Sequence, residues 1–279
     1  MISWIFYHSI NKGNPRLSYI LLIYWLLKGT LYSSLFNATL LSYHCIYLGF
    51  NTIVLAEEIV MCYGVLYNVK ALPLYLDLTD SNAVASITEF LDRRDITPRL
   101  LINNAGIFDF KAVNDLSESR INLYVDLHVR SLTHLSRTIA QRMSRNGVKG
   151  YILNMSSMSC WMPMPGIALY SATKAYIRAF SRALRIEVKE LGVSVTVACP
   201  GGIATNLFGL PPKLQRLGVK LHALDTPQRF VKKALRRTLQ GRAQYINGGL
   251  NRMAIVTVAS LPEWARLIIK TRLLDRINQ

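Results

Sequence analysis

Acidic residues are scarce in this chain of 279 residues: 16 aspartates and glutamates face 33 lysines and arginines, for a formal net charge of +17. No acid occurs before Glu57, and from Phe208 to Gln279 only Asp225, Glu263 and Asp275 oppose fourteen basic residues. Such an excess suits nucleic acid, anionic lipid or acidic substrates. The sequence has no zinc-finger spacing and no basic motif flanked by aromatics, so no nucleic-acid partner is expected and a membrane surface is the better match. Cysteine is sparse as well. Cys45, Cys62, Cys160 and Cys199 form no CxxC pair and no framework spacing, which argues against a disulfide-stapled scaffold and for reduced thiols in a cytoplasmic setting. His8, His44, His128, His134 and His222 never fall at ligand spacing from one another or from a cysteine, so no metal is expected.

With 51% hydrophobic and 18% charged residues, the chain is long enough to bury a full core in one α/β domain. From Leu101 onward, apolar β-branched runs alternate with longer helical patterns, which predicts a mostly parallel sheet covered by helices on both faces. Strands are expected at Thr52 to Ala56, Ala71 to Leu76, Arg99 to Asn103, Gly150 to Met155, Val193 to Ala198 and, at an edge, Gln244 to Ile246. Helices are expected at about Asn82 to Leu91, Asn122 to Met143 and Ser171 to Leu191, the last stopping at Gly192.

Residues 1 to 48 form an atypical segment standing in the place of a first strand and helix. Lys28 and polar clusters interrupt any clean membrane span there; Tyr19 to Ile23 is the candidate strand and Thr30 to Tyr47 the candidate helix.

The densest chemical signal is Ser157 followed thirteen residues later by Tyr170-Ser-Ala-Thr-Lys174. Four residues place Tyr170 and Lys174 on one helix face, where an ammonium can favour the ionised phenol. Bringing a tyrosine from pKa ~10 to neutral pH takes roughly three units, about 4 kcal/mol. Ser157, after the Gly150 to Met155 strand, is expected at the carboxyl edge of the sheet, where open α/β sheets bind ligands.

Together with Asn103-Asn104-Ala105-Gly106 after one strand, Pro200-Gly201-Gly202-Ile203-Ala204-Thr205 after another, and Leu76-Asp77-Leu78-Thr79-Asp80, this ordered set resembles the short-chain dehydrogenase/reductase family from about Gly49 to Thr205. The resemblance implies a doubly wound, Rossmann-like domain over 49–279, and hydride transfer between NAD or NADP and a carbonyl or alcohol carbon. It implies Tyr170 as general acid or base, Ser157 polarising the substrate oxygen, and Lys174 lowering the phenol's pKa and binding the nicotinamide ribose. Asp77 is then expected by the adenine, with Asn103, Ala105 and Gly106 shaping the cofactor bed. Pro200, Gly201, Ile203 and Thr205 would hold the nicotinamide end.

Two positions depart from the family pattern. Where relatives carry an asparagine supporting a water relay to the lysine, this chain has His128; the ring either holds a comparable water or simply packs in the core. The phosphate-binding Thr-Gly-x-x-x-Gly-x-Gly turn is absent, with Tyr24-Trp25-Leu26-Leu27-Lys28-Gly29 in its place, and one glycine cannot give the backbone the same close approach to pyrophosphate. Glu57-Glu58, after the expected second strand, disfavours a 2′-phosphate and hence NADP locally. The acid-free start suggests that the first ~50 residues are not ancestral, through a frameshift or a wrong start, which the encoding DNA would decide. An impaired protein with a defective dinucleotide site is therefore the alternative to an active enzyme.

The apolar run Trp161 to Pro165 beside Ser157 suggests a hydrophobic, lipid-like or steroid-like substrate, and 208–226, with Pro211-Pro212, falls where the family keeps its substrate loop. Residues 262–279 read as a basic, apolar-sided helix that serves either peripheral membrane association or subunit packing in a homo-oligomer.

Overall fold

The computed structural model describes residues 2–9, 18–25, 74, 76–204, 211–221 and 223–274. Six strands form a sheet in the order β1-β2-β3-β4-β5-β6: β1 (Ile2–Ser9), β2 (Ser18–Trp25), β3 (Leu100–Asn103), β4 (Gly150–Met155), β5 (Val193–Ala198) and β6 (Gln244–Tyr245). β2 runs parallel to β3, with Tyr19 opposite Leu100 and Leu22 opposite Asn103, and β5 runs parallel to β6. Helices surround the sheet: α1 (Ala83–Asp92), α2 (Glu118–Val125), α3 (Leu132–Arg145), α4 (Ala168–Glu187), α5 (Pro212–Lys220), α6 (Pro227–Leu239), α7 (Gly249–Ala259) and α8 (Glu263–Ile269). The expected α/β class and mostly parallel sheet are present.

Several boundaries differ from expectation for physical reasons. β1 pairs antiparallel with β2, Ile2 opposite Trp25, and adds a strand that the sequence reading did not assign. The expected helix from Asn122 to Met143 starts earlier, where the Ser117 hydroxyl caps it by accepting from the Arg120 amide at 3.2 Å. It is then interrupted at Asp126–Ser131 by a wide π-helical turn, a local insertion that hydrophobic periodicity does not reveal. α4 begins three residues before Ser171 was expected to open it and stops at Glu187; Gly192, at φ +72, takes the left-handed position before β5. Part of the expected substrate loop is helical, as α5, with Pro212 in its first turn, where a missing N–H costs nothing. The helix expected over 262–279 is α8 followed by a π-helical stretch, Lys270–Leu274.

The expected strand Thr52–Ala56, the expected helix Thr30–Tyr47 and Thr205 lie outside the described residues. Of Ala71 to Leu76 only Leu74 and Leu76 are described, and neither lies in a strand.

The chain divides into two compact units. The first holds Met1–Ile107, Arg130–Leu153 and Ile186–Ser194. Its core is apolar: Ile87, Leu91, Leu101, Leu135, Ile139, Met143 and Ile152 are fully buried. A Cβ at Gly150 would press on the Met143 side chain, so glycine there lets the strand run close to α3 without displacing it. Arg142 closes the α1 end by pairing with Asp92 and donating to the Ile96 carbonyl at 2.9 Å.

The second unit holds Phe108–Val129, Asn154–Arg185 and Val195–Gln279. Here Val195, Val197, Ala198, Ile177 and Ala234 are buried, and α4 is pinned by Asn154 donating to the Ser181 hydroxyl at 2.9 Å. Ser156 donates from its own amide to the Ala198 carbonyl and Met158 to the Pro200 carbonyl, so the two segments leave their strands side by side. Among the described residues no helix is long and apolar enough to cross a membrane.

Candidate active site

The second unit gathers Ser157, Tyr170, Lys174 and His128. β4 ends at Met155, and the next two residues diverge in use. The Ser156 hydroxyl turns inward and donates to the Lys174 carbonyl at 2.7 Å, which ties α4 to the strand end. Ser157 has extended backbone (φ −158, ψ 159), and its hydroxyl accepts from the Ser159 amide at 3.2 Å, opening the short 3-10 turn Met158–Trp161. The Ser157 hydroxyl also stands beside the Tyr170 phenol and favours its ionised form.

Tyr170 and Lys174 share one face of α4, as their spacing requires. The ammonium lies 5.6 Å from the Tyr170 ring centroid and donates to the Met155 carbonyl at 3.1 Å. Phe108 packs edge-on against the tyrosine ring at 5.0 Å.

Electrostatics depart from the expected scheme. Burial pushes the Tyr170 phenol up to about 12, and what pulls it back is the neighbouring Ser157 hydroxyl; the negative character of Cys160 pushes the same way as burial. Burial also pushes the Lys174 ammonium down to about 8, against the opposing pull of Cys199 and Cys160. The lowering of the phenol that was assigned to Lys174 is thus not what governs Tyr170 here. Desolvation of a group nearly removed from water outweighs an ammonium whose own charge is penalised by the same burial.

His128 is completely buried in the π-helical turn. Its Nδ1 lies 2.9 Å from the Thr173 hydroxyl, and that hydroxyl donates to the Tyr170 carbonyl at 2.9 Å. Since the Thr173 proton is committed to the carbonyl, Nδ1 carries the imidazole proton and Nε2 is the acceptor. Burial, then the Lys174 and Arg120 charges, hold the ring well below the ordinary histidine range, so it is neutral.

Among the expected cofactor residues of the second unit, Gly201 follows β5. Its amide donates to the Asn247 side chain at 2.7 Å, and a Cβ there would stand 2.2 Å from Asn251 Cγ. Pro200 receives the Met158 amide, and Ile203 bridges to Asp225.

In the first unit, Asn103 ends β3, is buried, and donates to the Ser136 hydroxyl at 3.0 Å. Ala105 and Gly106 follow it on the same loop. Asp77 folds into a tight turn, its carboxylate accepting from the Thr79 amide at 2.9 Å and from the Thr79 hydroxyl at 2.7 Å.

Sequence reasoning missed Ser156, Thr173, Phe108 and Asn247. Only Ser156 had a visible signal, the doubled serine at the strand end; the others act through contacts distant in sequence.

A model of the short chain dehydrogenase family matches residues 44–211. The chain belongs to this family. The chain is similar to a probable oxidoreductase, EphD, of Mycobacterium tuberculosis, 31% identical over 54% of this chain and 25% of that protein. It is also similar to cyclopentanol dehydrogenase of Comamonas sp., 35% identical over 62% of this chain and 64% of that enzyme. The solved structure of 4-hydroxyisoleucine dehydrogenase complexed with NADH matches at a TM-score of 0.56 and 26% identity, over 62% of this chain and 76% of that one. The chain therefore spans a quarter of one curated relative and just under two thirds of the other.

Proposed function

We propose that this chain is an NAD(P)-dependent oxidoreductase acting on a hydrophobic carbonyl or alcohol. The observation that carries the reading is the Ser157 hydroxyl set beside the Tyr170 phenol, with buried Lys174 on the same face of α4. A relative that acts as a cyclopentanol dehydrogenase, and a structural relative complexed with NADH, support it.

The described residues fit a dinucleotide at its nicotinamide end. Lys174 offers a charged donor and Ser157 and Tyr170 offer hydroxyls, while the Pro200 to Ile203 loop begins where β5 ends. Asp77, Asn103, Ala105 and Gly106 would serve the adenine and ribose side, Pro200, Gly201, Ile203 and Thr205 the nicotinamide. The dinucleotide, when bound, supplies or accepts the hydride. Ser157 holds the substrate oxygen. The Tyr170 phenol gives that oxygen a proton in reduction and takes it back in oxidation, and a phenol that ordinarily stays protonated suits the reductive direction best. His128, through Thr173, positions the Tyr170 backbone.

Peripheral association with a membrane and assembly into a homo-oligomer belong to the same proposal. α7 exposes Leu250, Met253 and Val256; α8 exposes Trp264, Leu267 and Ile268 among Arg266, Lys270 and Arg272. A second reading, an impaired member of the family, rests on the glycines missing between Tyr24 and Gly29.

Fluorescence titration with NADH and NADPH separates the two. Saturable binding that Lys174→Ala weakens supports the enzyme, whereas no binding at millimolar dinucleotide supports the impaired protein.

A further inference from the structure

The segments that follow β4 and β5 stay hydrogen-bonded past the strand ends. The Ser156 amide donates to the Ala198 carbonyl at 2.7 Å and the Met158 amide to the Pro200 carbonyl at 2.8 Å, which fixes Cys199 between two bonded positions, across from Ser156 and Ser157. On its other side the Cys199 amide donates to the Tyr245 carbonyl at 2.8 Å. The 3-10 turn Met158–Trp161 then folds the neighbouring segment back, with the Cys160 amide donating to the Ser157 carbonyl at 3.2 Å. A ladder on one side and a tight turn on the other bring together two cysteines that are distant in sequence. Their thiols stand side by side, next to the Ser156 hydroxyl.

The two thiols differ in access and in charge. Cys199 is completely buried, whereas Cys160 is partly exposed and lines an open cavity of about 710 Å³ that a small solute can enter. The Arg178 guanidinium lies 4.5 Å from the Trp161 ring, on the residue next to Cys160, and so sets a cation by the same turn. The Cys199 thiol, then Ser156 and Arg178, hold the Cys160 thiol below the ordinary cysteine range in spite of its burial. The Cys160 neighbour and burial push the Cys199 thiol well up, so it keeps its proton. An accessible sulfur with thiolate character beside a buried, protonated thiol is the pairing of a nucleophile with a partner that can resolve its oxidised form.

We propose that Cys160 and Cys199 form a modification site for small hydroperoxides, at which Cys160 is oxidised and Cys199 closes a disulfide onto it. In the first step the Cys160 thiolate sulfur attacks one oxygen of hydrogen peroxide, the O–O bond breaks, and the departing hydroxide takes a proton from solvent, leaving a sulfenic acid on Cys160. In the second step the Cys199 sulfur attacks the Cys160 sulfur, the S–O bond breaks, and the hydroxide leaves as water with the Cys199 proton. Two thiols are oxidised and one peroxide is reduced to two waters. The first step also removes the negative charge that kept Cys199 protonated, which frees it for the second. The closed bridge ties the turn carrying Ser157 to the end of β5. The site stands independently of the oxidoreductase reading.

Treatment of the reduced full chain with hydrogen peroxide near neutral pH, followed by alkylation of the remaining thiols and peptide mass mapping, tests the proposal. The expected result is a linked pair of Cys160 and Cys199 peptides, two hydrogens lighter than the separate peptides, which forms while the circular dichroism is unchanged and is lost on reduction by a phosphine. In Cys199→Ala the link is absent and dimedone captures the sulfenic acid on Cys160 at least tenfold more than in the parent. In Cys160→Ala peroxide leaves Cys199 unmodified. Should either variant not fold, the map of the parent chain decides alone. Absence of the Cys160–Cys199 link in the folded parent, or a link that forms only as the circular dichroism is lost, overturns the proposal. Linkage of either residue to Cys45 or Cys62 instead also overturns it. Because dinucleotide plays no part in the treatment, its outcome is separate from that of the NADH experiment.

Discussion

The Thr173 hydroxyl stands 2.9 Å from His128 Nδ1 and spends its own proton on the Tyr170 carbonyl, so a histidine on one helix holds the backbone of the tyrosine on another. A ring so placed must stay neutral, because a second charge beside buried Lys174 would be penalised twice, by desolvation and by repulsion.

That depressed pKa has a measurable consequence for stability. The unfolded chain's histidine titrates near ~6.5 and binds a proton that the folded one refuses, so the contribution is complete above about pH 6.5 and is lost as pH falls below it. Thermal unfolding followed between pH 7.5 and 5 should show a steeper fall in Tm for the parent than for His128→Asn. Equal slopes would remove His128 as the titrating group.

Lys174 leads to the opposite expectation about its removal. Its folded pKa of about 8 lies under an ordinary value of 10.5, so its charged form destabilises the fold in full below about pH 8, and the penalty fades as pH rises from about 8 to 10.5. Lys174→Met should raise stability at pH 7 by about 3 kcal/mol, less the lost bond to the Met155 carbonyl. Urea midpoints at pH 7 and pH 10.5 check it; a destabilised variant at pH 7 contradicts the sign.

Tyr170→Phe keeps the ring against Phe108 and deletes only the hydroxyl. Carbonyl reduction should fall about 10²–10⁴-fold, with dinucleotide affinity retained. Steady-state rates beside an NADH titration measure both, and undiminished turnover would remove the phenol from the chemistry.

Gly201→Ala drives a methyl into Asn251, whose side-chain amide donates to the Asn247 carbonyl while the Asn247 side chain holds the Gly201 amide. Dinucleotide affinity should drop several-fold while the helical circular dichroism stays unchanged. A variant that binds as the parent does shows that this loop lies away from the cofactor.

In the first unit, Leu101→Ala in β3 empties a fully buried position. The cost should be about 2–5 kcal/mol in urea unfolding. A smaller loss means that the neighbouring side chains collapse into the space.

Local spacing was enough to place much of this molecule. Gly150 to Met155 and Val193 to Ala198 could be read to the residue, because short runs rich in apolar and β-branched residues stand there between longer helical patterns. Tyr170 and Lys174 fell on one face because four residues make nearly one helical turn. The absence of acids before Glu57 and the missing glycines were equally plain, and the family followed from an ordered set of short motifs. Tertiary structure decided the rest: that the phenol is pushed up rather than down, that His128 reaches Tyr170 through Thr173, that β1 pairs with β2, and that Cys160 and Cys199 stand side by side. The reason is physical. Periodicity is a property of neighbours along the chain, whereas burial, desolvation and the pairing of polar groups depend on which distant segments come into contact, and a list of residues does not contain that information.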